Sequence, residues 1–156
     1  MDDTEKLIAL NPDHIKVMRI NAGIFAATFI VGAGVLEAME LLPPGVIIIP
    51  VMLLMAYIVW YFPKRRYARW GYDMTHDRLR ISHGYMFHTD TVVPLGRIQH
   101  IDVDQGPIQR SYNLATLSVH TAGSHNDTVS LPGLLHADAL EMREAMRAHI
   151  RDAINK

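Results

Sequence analysis

The sequence predicts a membrane-anchored α+β chain: a two-helix transmembrane hairpin, then a small antiparallel β-sandwich or barrel, then a C-terminal amphipathic helix that caps it. Three observations predict this class. Two long uncharged apolar runs occupy the first 62 residues, a period-two alternation replaces them after Phe62, and a stripe at helical spacing closes the chain.

The stronger of the two runs is Gly45 to Phe62, GVIIIPVMLLMAYIVWYF, with no charged residue. At about 1.5 Å of helical rise per residue it spans about 27 Å, close to the thickness of a bilayer's hydrocarbon core. Pro44 is placed just inside the helix start, where proline is tolerated, and Pro50 introduces a mild kink. Tyr57, Trp60 and Tyr61 gather at the far end, at headgroup level, and Lys64, Arg65, Arg66 and Arg69 follow at once. Cations beside an apolar span mark its cytoplasmic side. A buried helix of a soluble protein is the competing reading, but an uncharged run closed by aromatics and then by four cations is rarely a core helix.

The first run, Ile20 to Leu36, reads INAGIFAATFIVGAGVL between Lys16 and Arg19 on one side and Glu37 and Glu40 on the other. Val17 and Met18 extend it while Arg19 snorkels toward the headgroups, so the spans cover 17–36 and 45–62. A cleaved signal peptide does not fit, because the preceding residues are acidic and no small-residue cleavage pattern closes the run. The connector Glu37 to Pro44 is short and acidic, as a tight hairpin on the non-cytoplasmic side requires. The organisation expected is a cytoplasmic N-terminal arm over 1–16, the transmembrane hairpin over 17–62 and a cytoplasmic domain over 63–156, with both termini cytoplasmic. Asn11, Pro12 and Asp13 form a turn ahead of the first helix.

Small residues four apart recur in the first span: Ala22 with Ala26, Gly23 with Ala27, Thr28 with Gly32. That spacing lets helices approach closely in lipid, so this face is expected to pack on the second span or on a neighbouring subunit.

The whole chain is 156 residues long and 49% hydrophobic, enough for a small domain plus two spans. Lys and Arg number 3 against 6 Asp and Glu before residue 64, and 12 against 10 from there on. A second part near +2 is too weakly basic to bind nucleic acid. There is no cysteine, which excludes disulfides, thiolate metal sites and cysteine catalysis, and suits a reducing compartment.

After Phe62, Arg78, Leu79, Arg80, Ile81 and Ser82 alternate outward and inward, as do Ile101 with Val103, Leu117 with Val119, and Val129 with Leu131. Turn formers separate them: His76 and Asp77, Gly84, Gln105 to Pro107, and Gly123 to Asp127. With Tyr67 to Met74 and Tyr85 to Val93 counted, six or seven half-buried strands result. Leu135, Ala139, Met142, Met146, Ile150 and Ala153 then share one helical stripe, with Asp138 and Glu141 early and Arg147 and Arg151 late, as the helix dipole favours. Its polar face lacks the cation excess of a membrane-surface helix, so it covers the strands instead.

Val92 to Gly123, VVPLGRIQHIDVDQGPIQRSYNLATLSVHTAG, resembles the signature of bacterial pleckstrin-homology-like (PH-like) domains of the YdbS type. The resemblance covers Phe62 to about Ile150. It rests on Pro94 with Arg97, Ile98 and Gln99 after two residues, on Gln105, Gly106 and Arg110, and on Leu114, Ala115 and the turn Thr121 to Gly123. It implies a seven-stranded PH-like sandwich capped by the C-terminal helix and anchored in the cell membrane, since members commonly carry hydrophobic hairpins ahead of the domain. Asn113 stands where the family usually has glycine, and asparagine tolerates the left-handed conformation such a turn needs. The resemblance brings no catalytic residues.

Chemistry-bearing groups are sparse. His83 with His88 and His120 with His125 lack the spacing of a helical zinc motif, and no metal or other cofactor is expected. Ser82, His83 and Asp90 supply the residue types of a nucleophilic triad without a nucleophile elbow, and Asp102 and Asp104 share one polar strand face in water. Eukaryotic phosphoinositide binders of this fold place several cations around the first hairpin, whereas here His76 and Asp77 are flanked only by Arg78 and Arg80. The expected function is therefore a non-enzymatic membrane-anchored PH-like module. It scaffolds or recruits a membrane or cytoplasmic-face protein, or self-associates as a homo-oligomer, at the cytoplasmic face of the cell (inner) membrane. The alternative is an anionic lipid-headgroup sensor that uses Lys64, Arg65, Arg66, Arg69, Arg78 and Arg80.

Overall fold

The computed structural model describes residues 7–40, 43–75, 77–84, 89–122 and 128–154. It divides into two compact units, Ile15–Ala68 and a second one that joins Met1–His14 to Arg69–Lys156. His76, Tyr85 to His88, the whole Gly123 to Asp127 turn region and the side chain of Ala153 lie outside the described residues.

The first unit is a helical hairpin. Helix α1 runs His14–Ala38 and α2 runs Ile48–Tyr67. Both are long and apolar enough to cross a membrane, and only 11% of each candidate span is buried. A core helix of a soluble protein would hide most of its surface. Here Phe25, Phe29, Leu53 and Trp60 are exposed, which suits side chains meant for hydrocarbon. The boundaries of the second span differ from expectation. Pro44 lies in the turn before α2 rather than inside it, and Pro50 falls in the first helical turn, where a missing N–H removes no intrahelical bond. The proline inside the helix is Pro63, with Lys64, Arg65 and Arg66 in the last turn, where cations complement the helix dipole.

The acidic connector has a structural task. The Glu37 carboxylate accepts the backbone N–H groups of Gly45, Ile47 (3.3 Å) and Ile48 (3.0 Å). It caps the start of α2 from the end of α1 and places a negative charge at the positive pole of that helix. Glu37→Ala should lower the thermal midpoint of the hairpin in detergent micelles, with Glu40→Ala as the neutral control. Equal midpoints for the two variants would show that the cap carries no stability.

The second unit holds two antiparallel sheets. One has the order β1 (Ile8–Ala9), β2 (Gly71–Met74), β3 (Arg78–His83), β4 (Thr89–Pro94), and the other β5 (Ile98–Asp104), β6 (Leu114–Thr121), β7 (Thr128–Leu135). A single 3-10 turn, Leu95–Arg97, joins them; α3 (Pro107–Ser111) links β5 to β6, and α4 (His136–Ile154) follows β7. The strand expected to begin at Tyr67 begins at Gly71, because α2 continues through Tyr67.

Alternation along each strand sends one set of side chains inward. Leu79, Ile81, Leu117, Val119 and Leu131 are fully buried, joined by Val93 and Ile101 and by Ala139 and Met146 of α4. Burying each of the leucines contributes about 1.5–3 kcal/mol relative to exposure. Helix α4 contacts the 3-10 turn and β5, β6 and β7, so it covers the second sheet as the stripe implied. Leu135 is the exception: it ends β7 and is exposed.

The segment expected as a separate N-terminal arm over 1–16 does not stand apart. Ile8 pairs with Tyr72 and Ala9 with Gly71, so β1 is an edge strand of the first sheet. Leu10 and His14 are buried, Asn11 Oδ1 accepts the Asp13 N–H at 2.9 Å, and the Asn11 N–H donates to the Gly133 carbonyl at 3.0 Å. Gly133 has φ +73, and a Cβ there would stand 2.6 Å from His14 Cγ, so only glycine allows the approach. The hairpin is thus an insertion between β1 and β2.

Tyr72 on β2 is half-buried, and its phenol is raised above the ordinary value of 10.0, first by burial and then by the negative charge of Asp138. Raising this pKa favours the neutral folded form. The contribution is complete below the unfolded value and is lost as pH climbs through the folded one. Denaturant unfolding should show stability falling above pH 10, and Tyr72→Phe should flatten that decline; an unchanged slope would rule out Tyr72 as its source.

Candidate functional site

The six candidate cations are divided between the units. Lys64, Arg65 and Arg66 are exposed on the last turn of α2, and the Arg65 guanidinium lies 4.7 Å from the Tyr61 ring centroid. Arg69, Arg78 and Arg80 belong to the strand-rich unit. Arg78 and Arg80 share the outer face of β3, as alternation predicts, but Arg80 is committed: its Nε and Nη2 reach the Asp90 carboxylate at 3.0 and 2.6 Å. The register of β3 and β4 produces that pair, with Ser82 opposite Asp90 and Arg80 one strand step away. Both partners are about a third exposed, so the bridge contributes no more than about 1 kcal/mol, yet it removes Arg80 as an unmatched cation.

Of the small residues Ala22, Gly23, Ala26 and Ala27, only Ala26 is buried. It joins Val17 and Ala33 on α1 and Met55 and Pro63 on α2 among the buried positions of the two helices. A Cβ at Gly23 would meet nothing within 4 Å, and Ala27 is exposed. Within the single chain, Ala26 and Ala33 are the small residues of α1 that are buried, while Gly23 and Ala27 stay accessible.

The triad residue types do not assemble. Asp90 serves Arg80, Ser82 is buried, and His83 stacks on Trp70 at 4.9 Å between centroids. The second sheet builds a different polar chain on its outer face. Asp102 sits between two imidazoles, His100 Nε2 at 2.8 Å and His120 Nε2 at 3.2 Å, and His120 Nδ1 lies 2.9 Å from Thr128 Oγ1. With both Nε2 atoms protonated and donating to the carboxylate, Nδ1 of His120 accepts the Thr128 hydroxyl. Threonine, histidine and aspartate then have the connectivity of a triad. Exposure of 37% at His120 and 43% at Asp102 leaves it in water, without the desolvation that makes such a chain reactive. Among the described residues no group of three or more His, Asp or Glu side chains is arranged to hold a metal ion. The sequence placed Asp102 in water; only strand pairing brings His100, His120 and Thr128 to it, and their common outward parity is the signal that could have shown this.

The string from Gln105 to Asn113 shapes the fold. The Gln105 side chain donates to the Leu114 carbonyl at 3.0 Å, Gln109 Oε1 accepts the Gly106 N–H at 3.0 Å, and Gln109 Nε2 donates to Thr116 Oγ1 at 2.9 Å. Asn113 adopts φ +54, the left-handed conformation expected for a glycine substitute.

In the strand-rich unit a small groove lies between β5 and α4. Ile98, Gln99, His100 and Ile101 line it from the strand and Arg147 and Ile150 from the helix, around about 160 Å³. β5 is an outer strand of its sheet, with β6 as its neighbour on one side.

The profile of the family described as Bacterial PH domain matches residues 22–150, which takes in most of the hairpin as well as the strand-rich unit. The chain is 33% identical over 153 residues to the UPF0699 transmembrane protein YdbS of Bacillus subtilis (strain 168), covering 94% of this chain and 89% of that one. No solved structure matches. Two sheets, a C-terminal helix and a membrane hairpin, in a sequence that this profile spans from the first helix to the last, are those of a bacterial PH domain protein, and the chain belongs to that family.

Proposed function

We propose that the chain is a non-enzymatic interaction module that its two spans hold at the cytoplasmic face of the cell membrane, where the PH-like unit recruits or scaffolds a protein or associates with its own copies. The observation that carries this reading is the open edge of β5, with a small groove beside it. An open edge offers unsatisfied backbone donors and acceptors to another chain. On the outer faces Arg80 is paired with Asp90, and Asp102 accepts from His100 and His120. The cations after α2 support the cytoplasmic assignment, and the pairing of β1 with β2 supports a shared side for both flanks of the hairpin, because paired strands cannot lie across a bilayer from each other.

Mild crosslinking in native membranes followed by affinity purification tests the reading, comparing the whole chain with one ending at Arg69. A protein recovered only with the whole chain supports it. Recovery of anionic lipid alone favours the headgroup sensor, for which the exposed Lys64, Arg65, Arg66 and Arg69 are the relevant groups. Sidedness is tested with a single cysteine at exposed Asp104, since the chain has none of its own. Labelling of intact cells by an impermeant thiol reagent would overturn the cytoplasmic placement.

A further inference from the structure

We infer that the groove between β5 and α4 receives an extended, acidic segment of a partner protein, added to β5 as a further strand; this rests on the protein-recruiting reading above. Four observations lead to it. Among the described residues β5 has β6 alone beside it, and Ile101 to Asp104 pair in unbroken register with Val119 to Thr116, so the opposite edge is straight enough to continue the sheet. The register shifts between Ile98 and His100, leaving Gln99 with no partner on β6, and Gln99 is exposed at the groove. Bulges guard edges against pairing, and this one sits at the start of the strand, so it limits an added strand to the stretch after it.

Size and charge then select the occupant. A volume of about 160 Å³ is well below the roughly 300–1,000 Å³ of small-molecule pockets, so the groove takes a side chain rather than a cofactor. Ile98 and Ile101 are buried beneath it and Ile150 flanks it, which makes that side chain apolar. Arg147 stands at the rim, 47% exposed; Glu144 reaches it at 3.5 Å but holds Arg143 more closely, at 3.0 Å. Arg151, one helical turn on, is exposed as well. A carboxylate on the incoming strand supplies the match that Glu144 gives only weakly. Residues two apart on a strand face the same way, so the acidic residue belongs two positions from the apolar anchor.

The test uses the whole chain in nanodiscs of neutral lipid and a short fluorescent peptide with Phe two residues before Glu in a Ser/Thr/Val background. Saturable binding is expected, weakened about tenfold or more when Glu is replaced by Lys, and abolished when prolines remove the backbone donors facing β5. Arg147→Glu should reverse the preference between the Glu and Lys peptides, and Arg147→Gln should erase it. Absence of saturable binding, or binding indifferent to both Arg147 variants, overturns the proposal. If the peptides fail while the whole chain still crosslinks to a protein, this site falls and the recruiting module stands; if both fail, the recruiting reading falls too.

Discussion

Leu117→Ala should lower the unfolding free energy of the strand-rich unit by about 2–5 kcal/mol. Leu117 is fully buried in the middle of β6, between its register partners Val103 on β5 and Leu131 on β7, and the ladders on both sides keep the backbone from collapsing into the space left. The measurement is urea unfolding of the whole chain in micelles, followed by Trp70 fluorescence in a Trp60→Phe background. Trp70 reports on the correct unit because it stacks on His83. Val92→Ala, at a position 49% exposed on β4, should cost no more than about 0.5 kcal/mol. Equal losses for the two would contradict the placement of the core.

Gly133→Ala should cost about as much by another route. A non-glycine residue at φ +73 carries about 1–2 kcal/mol of backbone penalty, and the new Cβ would meet His14 at 2.6 and 2.9 Å, an overpacking worth about 1–3 kcal/mol more. The N-terminal segment should yield first, because Asn11 is bound to the Gly133 carbonyl and β1 is only two residues long. Hydrogen exchange at Ile8 and Ala9 should accelerate well before exchange at Leu117. His14→Ala added to the glycine variant should recover part of the loss, by removing the Cγ contact. Unchanged exchange at β1 would mean that the segment is held by something other than this contact.

Much of the fold was legible because it is written in local periods. Arg78 to Ile81 alternates in sequence as it does in burial, although Ser82, expected to face outward, is buried beside Ile81, and Ala139, Met142 and Met146 repeat at the spacing of the helix they form. Asn113 could be assigned a left-handed turn from the chemistry of one side chain. β1 escaped notice for the opposite reason: two residues carry no period, and the strand exists only because Gly71 and Tyr72, some sixty residues later, present an edge. The candidate site divides in the same way. The cations after α2 were visible as a run, while the loss of Arg80 to Asp90 depends on a register that no local pattern encodes. His100, His120 and Thr128 lie on three strands, so only pairing could gather them around Asp102.

By itself the sequence determined two apolar spans, most of the strands with their inward and outward faces, and the helix that closes them, because hydropathy acts over a few residues at a time. Tertiary structure decided that the hairpin interrupts a sheet instead of preceding it, that Glu37 caps the helix after it, and that β5 has, among the described residues, an open edge beside α4. Those outcomes depend on which distant backbone groups find each other, and hydrogen-bond partners far apart in the chain leave no mark in local composition.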